Sequence, residues 1–450
     1  MTADLKAFAG ELLDWVRRQD PGLQAELYLA RSEERGVEMR EGRLDNLQHG
    51  SAEGAGLRVL GGGRMGFASA GGINPEGVRD LYRRAREQLS HIKPDPCRDF
   101  PAPGPDAPDA ELAASLWDDA LFQAPLEGAV ARLEQADAAA LRADPRLSCV
   151  LRSGYGETRG EAVIANTRGV LSHERGSSAS VGFSALAKDG GEVQVGSAYQ
   201  SACRGAALDF GRVAAQAAER TVRLLGGRKL PSARRAVLFD PWAAGDILEL
   251  VAGLLCADQV QRGKSLLAGC LGKKVGSELA TFRDDPRRRG GLGSCLHDDE
   301  GCPTSAKTLI EAGVVRGYFY DTYTGRKDGL PGNASAGRGS YKGLPGPTHS
   351  NFSLEPGTMS RDKLISETAD GLLVLDIMGM HMADPISGEF SVGVSGLAVS
   401  GGKLGAPVKK AMIAGSVKEL LAGIDAKADD LTFYGSLGSP TFRVGGLSVA

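Results

Sequence analysis

Apolar residues recur along this chain in two rhythms. Over 4–18, Leu5, Phe8, Leu12 and Val16 fall on one side of a 3.6-residue spiral, which predicts an amphipathic helix. Short strand-like runs follow: AELYLAR (25–31), GVEMR (36–40), GAGLRVL (54–60) and GRMGFASA (63–70). The glycines of GGGRMG (61–66) sit where a hairpin should turn. A helical pattern returns over 75–92, with Pro75 suited to a first turn. Residues 1–93 thus read as an antiparallel sheet with helices. Six prolines within 94–108 mark a linker or extended surface crossing, taken as 94–110. A middle unit, 111–228, has helical pattern at 125–143 and 207–226. Between them lie strand-like runs near 147–155, 161–166, 178–187 and 191–199. The last unit, 229–450, opens with the strand RRAVLFD and the strongly apolar helix 241–260. It continues with Gly-rich β runs at 371–379 and 389–399 and a short helix at 416–423. The absence of βαβ alternation argues against a Rossmann-type sheet, so the fold class is α+β with a mainly β C-terminal domain.

Composition narrows this further. Of 450 residues 63 are glycine, yet no G-X-Y period is present and the hydrophobic fraction is 42%, so the chain is neither collagenous nor disordered. Lys and Arg total 53 against 56 Asp and Glu, a net charge of -3, which argues against direct nucleic-acid binding. No run of 18 apolar residues suggests a membrane span, and MTADLKAFAGELLDWVRRQD lacks the order of a signal peptide. Seven scattered Cys without CxxC pairs fit reduced thiols and a cytoplasmic location.

Isolated motifs carry little. QRGKS (261–265) ends like a phosphate loop, but Asp258 stands where the first Gly belongs. None of the six histidines forms an i, i+4 pair on a helix, and no GxSxG elbow occurs. CLHDDEGCPTS (295–305) crowds Cys295, His297, Asp298, Asp299, Glu300 and Cys302 together. It reads first as an acidic turn, with a metal site at His297 and Asp299 as the alternative.

Longer stretches say more. DDEGCPTSAKTLIEAGVVRGYFYDTYTGRKDG (298–329), PGNASAGRGSYKGLPGPTHSNFSLEPG (331–357), the segments 33–69 and 383–417, and their order resemble the TldD/PmbA family, also called modulator of DNA gyrase. The resemblance covers essentially the whole chain. It implies two paired branches. TldD-type members carry HExxxH on a helix and act as zinc metalloproteases; PmbA-type (TldE) members lack that motif. Matching the flanks places the first His at Leu248, the Glu at Glu249 and the second His at Gly253, within LELVAG. Only the Glu remains, and no Cys follows Cys302 where the TldD branch has a ligand. A lone carboxylate neither holds zinc nor activates its water.

The resemblance therefore implies a PmbA/TldE-like subunit without metal of its own. Zinc is expected in a TldD-like partner, in a heteromer, with a homodimer as the other assembly. The substrate would be peptides or unfolded segments, with candidate contacts in the polar, Gly-flanked 320–333 and 337–341 regions, Arg326 and Asn333 of the first among them. The helix around Glu249 is apolar nearly all round (Ile247, Leu248, Leu250, Val251, Leu254, Leu255), which predicts burial, with Glu249 paired or at an edge. Two other readings are an independently active hydrolase with atypical ligands at His297 and Asp299, and a gyrase- or DNA-associated modulator.

Overall fold

A computed structural model describes residues 4–105 and 108–450; residues 1–3 of the N-terminal segment and 106–107 of the proline-rich segment lie outside it. Helix α1 (Leu5–Gln19) leads into β1 (Gln24–Arg40), β2 (Arg43–Gly61) and β3 (Arg64–Gly71), then α2 (Pro75–Gln88). After α3 (Ala110–Ser115) and α4 (Glu127–Arg142) come β4 (Leu147–Asn166), β5 (Leu171–Asp189), β6 (Glu192–Ala202) and α5 (Phe210–Arg223). The six strands form one antiparallel sheet, ordered β3-β2-β1-β4-β5-β6, so residues 1–93 and 111–228 contribute three strands each.

The strands are longer than the apolar runs. The runs 25–31 and 36–40 are one strand, because the polar residues between them are paired across the sheet rather than turned out of it. Arg31, Glu33 and Arg35 stand directly opposite Glu161, Arg159 and Glu157 of β4. All three couples form ion pairs, at 2.6 Å for Arg159–Glu33 and 2.8 Å for Arg35–Glu157. Opposite charges facing each other across strands stabilise a ladder that a periodicity argument reads as a break. The hairpin turn expected at GGGRMG is present: Gly62 and Gly63 both have positive φ, 56° and 71°, the conformation a two-residue hairpin of this hand requires.

On one face of the sheet α1 and α2 cover Leu27, Leu29, Leu57 and Val59, while α4 and α5 cover Val37, Met39, Val181 and Phe183. The ion-pair ladder occupies the gap between these two apolar layers. The proline-rich segment is pinned rather than loose. Asp95 N donates to the Gly63 carbonyl, Asn166 Nδ2 donates to the Pro101 carbonyl, and the buried Phe100 ring lies under Arg58, 5.0 Å from the guanidinium carbon.

The C-terminal domain is built on a closed ring of strands. β7 (Ala233–Phe239) pairs in parallel with Asp370–Met378, which is followed by Glu389–Ser400, Lys403–Ser416 and Phe442–Val449. Pairing of Ile413 with Val449 closes the ring. A second sheet of short strands, including Phe282–Asp284 and Phe352–Leu354, packs beside it. Helix α6 (Pro241–Leu254) lies in the core that both sheets share.

The domain is clasped to the N-terminal sheet by a buried charge cluster. Glu26, fully buried, accepts two hydrogen bonds from Arg58 (2.8 and 2.5 Å) and one from Arg338. Arg58 also donates to Glu300 at 3.2 Å. Burial acts to raise the Glu26 carboxyl, but the Arg58 and Arg338 guanidinium groups hold it below its ordinary value. Nearby, Tyr341 seats on β2 at Gly54 and Gly56, where a Cβ on either glycine would collide with it.

The exposed face of helix α6 and the cavity beside it

Helix α6 starts sharply: Asp240 accepts a hydrogen bond from Trp242 N at 2.9 Å, and Pro241 occupies the first turn. Its apolar residues are buried as expected. Ala243, Ala244, Ile247, Leu248, Val251 and Leu254 are all in the core, with Leu248 wholly inaccessible. The helix is nevertheless not apolar all round. Asp246, Glu249 and Gly253 are exposed on a single stripe, spaced three and four residues apart, as one helical face requires. Glu249 makes no hydrogen bond or ion pair among the described residues, so it stands at an open edge rather than in a buried pair.

This stripe forms one wall of a cavity of about 410 Å³. The facing wall is the segment around Ile377, Met380, His381 and Pro385, entered through Gly379 in the left-handed region at φ 89°. Gln259 and Lys264 close the end. Burial, then the Asp376 and Glu249 carboxylates, raise the Asp246 carboxyl above its ordinary value, and His381 partly offsets them. Asp246 and His381 were not singled out from the sequence. Asp246 was legible as the second polar residue on the Glu249 face of an otherwise apolar helix; His381 reaches the cavity only through the fold.

The other candidate residues lie elsewhere. Arg326 pairs with Asp99 of the proline-rich segment. Asn333 brackets its own loop: Oδ1 accepts from Tyr320 N at 2.9 Å and Nδ2 donates to the Tyr318 carbonyl at 2.8 Å. Neither lines the α6 cavity. The 337–341 turn is occupied by the docking of Tyr341 and by Arg338 in the charge cluster. At the acidic turn, Asp298 accepts from the backbone N–H groups of Glu300, Cys302 and Ala336, and Asp299 from that of Arg338. His297 pairs with Glu174 at 2.8 Å. These carboxylates organise backbone, and among the described residues no three His, Cys, Asp or Glu side chains converge in a way that could hold a metal ion.

Three family models match most of the chain. The PmbA/TldA metallopeptidase domain 1 matches residues 25–89, the central domain 119–225 and the C-terminal domain 232–450. The chain belongs to the PmbA/TldD family. It is 27% identical to the metalloprotease PmbA of Escherichia coli O157:H7 over 414 residues, covering 90% of this chain and 88% of that one. It is 30% identical to a metalloprotease TldD homologue of Buchnera aphidicola over 203 residues, 45% of this chain and 42% of that one. A Thermotoga maritima protein described as a modulator of a DNA gyrase superposes with a TM-score of 0.90 at 25% identity, covering 99% of this chain and 100% of that one. TldE from Thermococcus kodakarensis shares the fold, with a TM-score of 0.87 at 21% identity and 99% of both chains covered.

A metallopeptidase family implies a metal ion, and the residues at this cavity do not fit one. Gly253 offers no donor, Leu248 is packed in the core, and Asp246, Glu249 and His381 are not gathered into a ligand set among the described residues. No helix among the described residues is long and apolar enough to cross a membrane.

Proposed function

We propose that this chain is a non-catalytic, PmbA/TldE-like subunit of a TldD-type zinc metalloprotease complex that processes peptides and unfolded segments. The observation that supports it is the state of α6. A helix stands where the resemblance puts the family's metal motif, with its core packing complete, but the two positions matched to histidines are Leu248, buried in the core, and Gly253, which has no side chain; only Glu249 faces the cavity as the motif would have it. With neither imidazole of the motif, Glu249 alone does not make the ligand set that would hold a metal ion and lower the pKa of its water. The partner subunit supplies zinc and the base, and this chain supplies shape and part of the peptide-binding surface. The net charge of -3 argues against a direct DNA role.

The test is reconstitution with a TldD-like protein carrying an intact HExxxH. Zinc, measured by elemental analysis, should follow the partner, and peptidase activity should need both chains. Stoichiometric zinc together with peptidase activity in this chain alone would overturn the reading.

A further inference from the structure

We propose that the exposed face of α6 and the adjoining open face of the six-stranded sheet form one docking groove for an extended peptide that carries a basic side chain. This deepens the subunit role proposed above by naming what the subunit binds.

The groove begins on the sheet. Gly36 faces Gly156, Gly156 faces Ser180, and Gly154 faces Gly182 across three neighbouring strands. Residues this small leave the floor low, and a cavity of about 390 Å³ stands above it, reaching Trp242 on α6. Trp242 belongs to an aromatic trio with Tyr199 of β6 and Tyr434, with ring centroids 5.1 Å from each, the last two being 5.9 Å apart. Trp242 is thus shared by the sheet trough and the α6 stripe, which continues through Asp246 and Glu249 to the second cavity.

Charge selects the occupant. Asp246 and Glu249 have no ion-pair partner among the described residues, and Lys264 is the single Lys or Arg lining that cavity, so two carboxylates face one ammonium and the His381 imidazole. The opposite wall sets the apolar Ile377, Met380 and Pro385 around His381, and Leu250 adjoins the carboxylates on α6. An acidic edge over an apolar wall suits a lysine or arginine, whose methylene stem packs while its head reaches the carboxylates. From Trp242, four to seven helical residues span roughly 6–10 Å, the length of about two to three extended residues. The preferred peptide therefore has an aromatic or apolar residue two or three positions from a basic one.

The test uses the isolated full chain, so that its failure leaves partner-dependent activity untouched, and loss of that activity leaves peptide binding to be measured separately. Fluorescence anisotropy would compare a labelled Gly/Ser decapeptide bearing Trp and Arg at that spacing with the same peptide bearing Glu for Arg. The Arg peptide should bind roughly tenfold more tightly, as one charge-assisted contact gives. An Asp246→Asn, Glu249→Gln double variant, in which both changes are on exposed positions, should lose this preference through weaker binding of the Arg peptide while keeping its circular dichroism. Equal affinity of the two peptides for the unaltered chain, or a preference that survives in the double variant, would overturn the proposal.

Discussion

At the scale of single residues, α6 separates two kinds of position that the sequence motif treats alike. Leu248 is wholly buried among apolar side chains, whereas an ideal Cβ at Gly253 meets nothing within 4 Å. Introducing a histidine at each should therefore have opposite consequences. Leu248→His places a polar ring in a dry core and should cost about 3–5 kcal/mol. Gly253→His extends into the cavity and should leave stability within about 0.5 kcal/mol of the parent, since it replaces a poor helix former. Denaturant unfolding of the two variants checks this; equal losses would mean that Gly253 is not open. The glutamate was identifiable from sequence alone, but its surroundings were not. Its exposure depends on the 377–385 segment standing off from the helix, and nothing in local periodicity encodes that gap.

At the scale of elements, the strand-pairing pattern shows what periodicity can and cannot reveal. The glycines of 61–66 located the Gly62-Gly63 hairpin turn, because turn chemistry is local. Apolar alternation broke β1 and β4 into pieces, because their middle residues are stabilised by partners more than 100 positions away, such as Arg35 and Glu157. The same non-locality gives Gly54 and Gly56 their role. They look like ordinary strand glycines, yet they form the seat for Tyr341 from the C-terminal domain. Gly56→Ala should expel the 338–345 loop and destabilise the chain by about 1–3 kcal/mol, the usual range for an overpacked contact. Limited proteolysis should then cut that loop faster than in the parent. Unchanged cleavage and an unchanged unfolding midpoint would show that the seat can yield.

At the scale of the whole molecule, the N-terminal sheet and the C-terminal domain meet through charges rather than through an apolar seam alone. Glu26 bridges Arg58 and Arg338 in a buried site, and Glu300, which also pairs with Arg58, brings the second negative charge that balances the two guanidinium groups. Glu26→Gln keeps the shape but leaves buried Arg58 paired with Glu300 alone and removes the carboxylate that pairs with buried Arg338. The expected cost is about 3–5 kcal/mol, read as a lowered thermal midpoint, and added salt should not restore it because buried charges are poorly screened. A variant that unfolds like the parent would show that Glu300 suffices. The proposed peptide groove belongs to this scale too. Its trough lies on the N-terminal sheet and its carboxylates on a C-terminal helix, so it exists only while the two parts hold this orientation.

The sequence by itself determined the α+β class, the longer helices, the turn at Gly62-Gly63 and the family, because these rest on local propensity and on long ordered motifs. It also determined that α6 carries no histidine where the motif places one, since residue identity needs no coordinates. Only the tertiary structure decided which face of that helix is open, that Asp246 and His381 share a cavity with Glu249, and that Asn333 and the acidic turn serve backbone groups. Those facts depend on contacts between segments far apart in the chain, where packing and electrostatics select among arrangements that a linear pattern leaves equivalent.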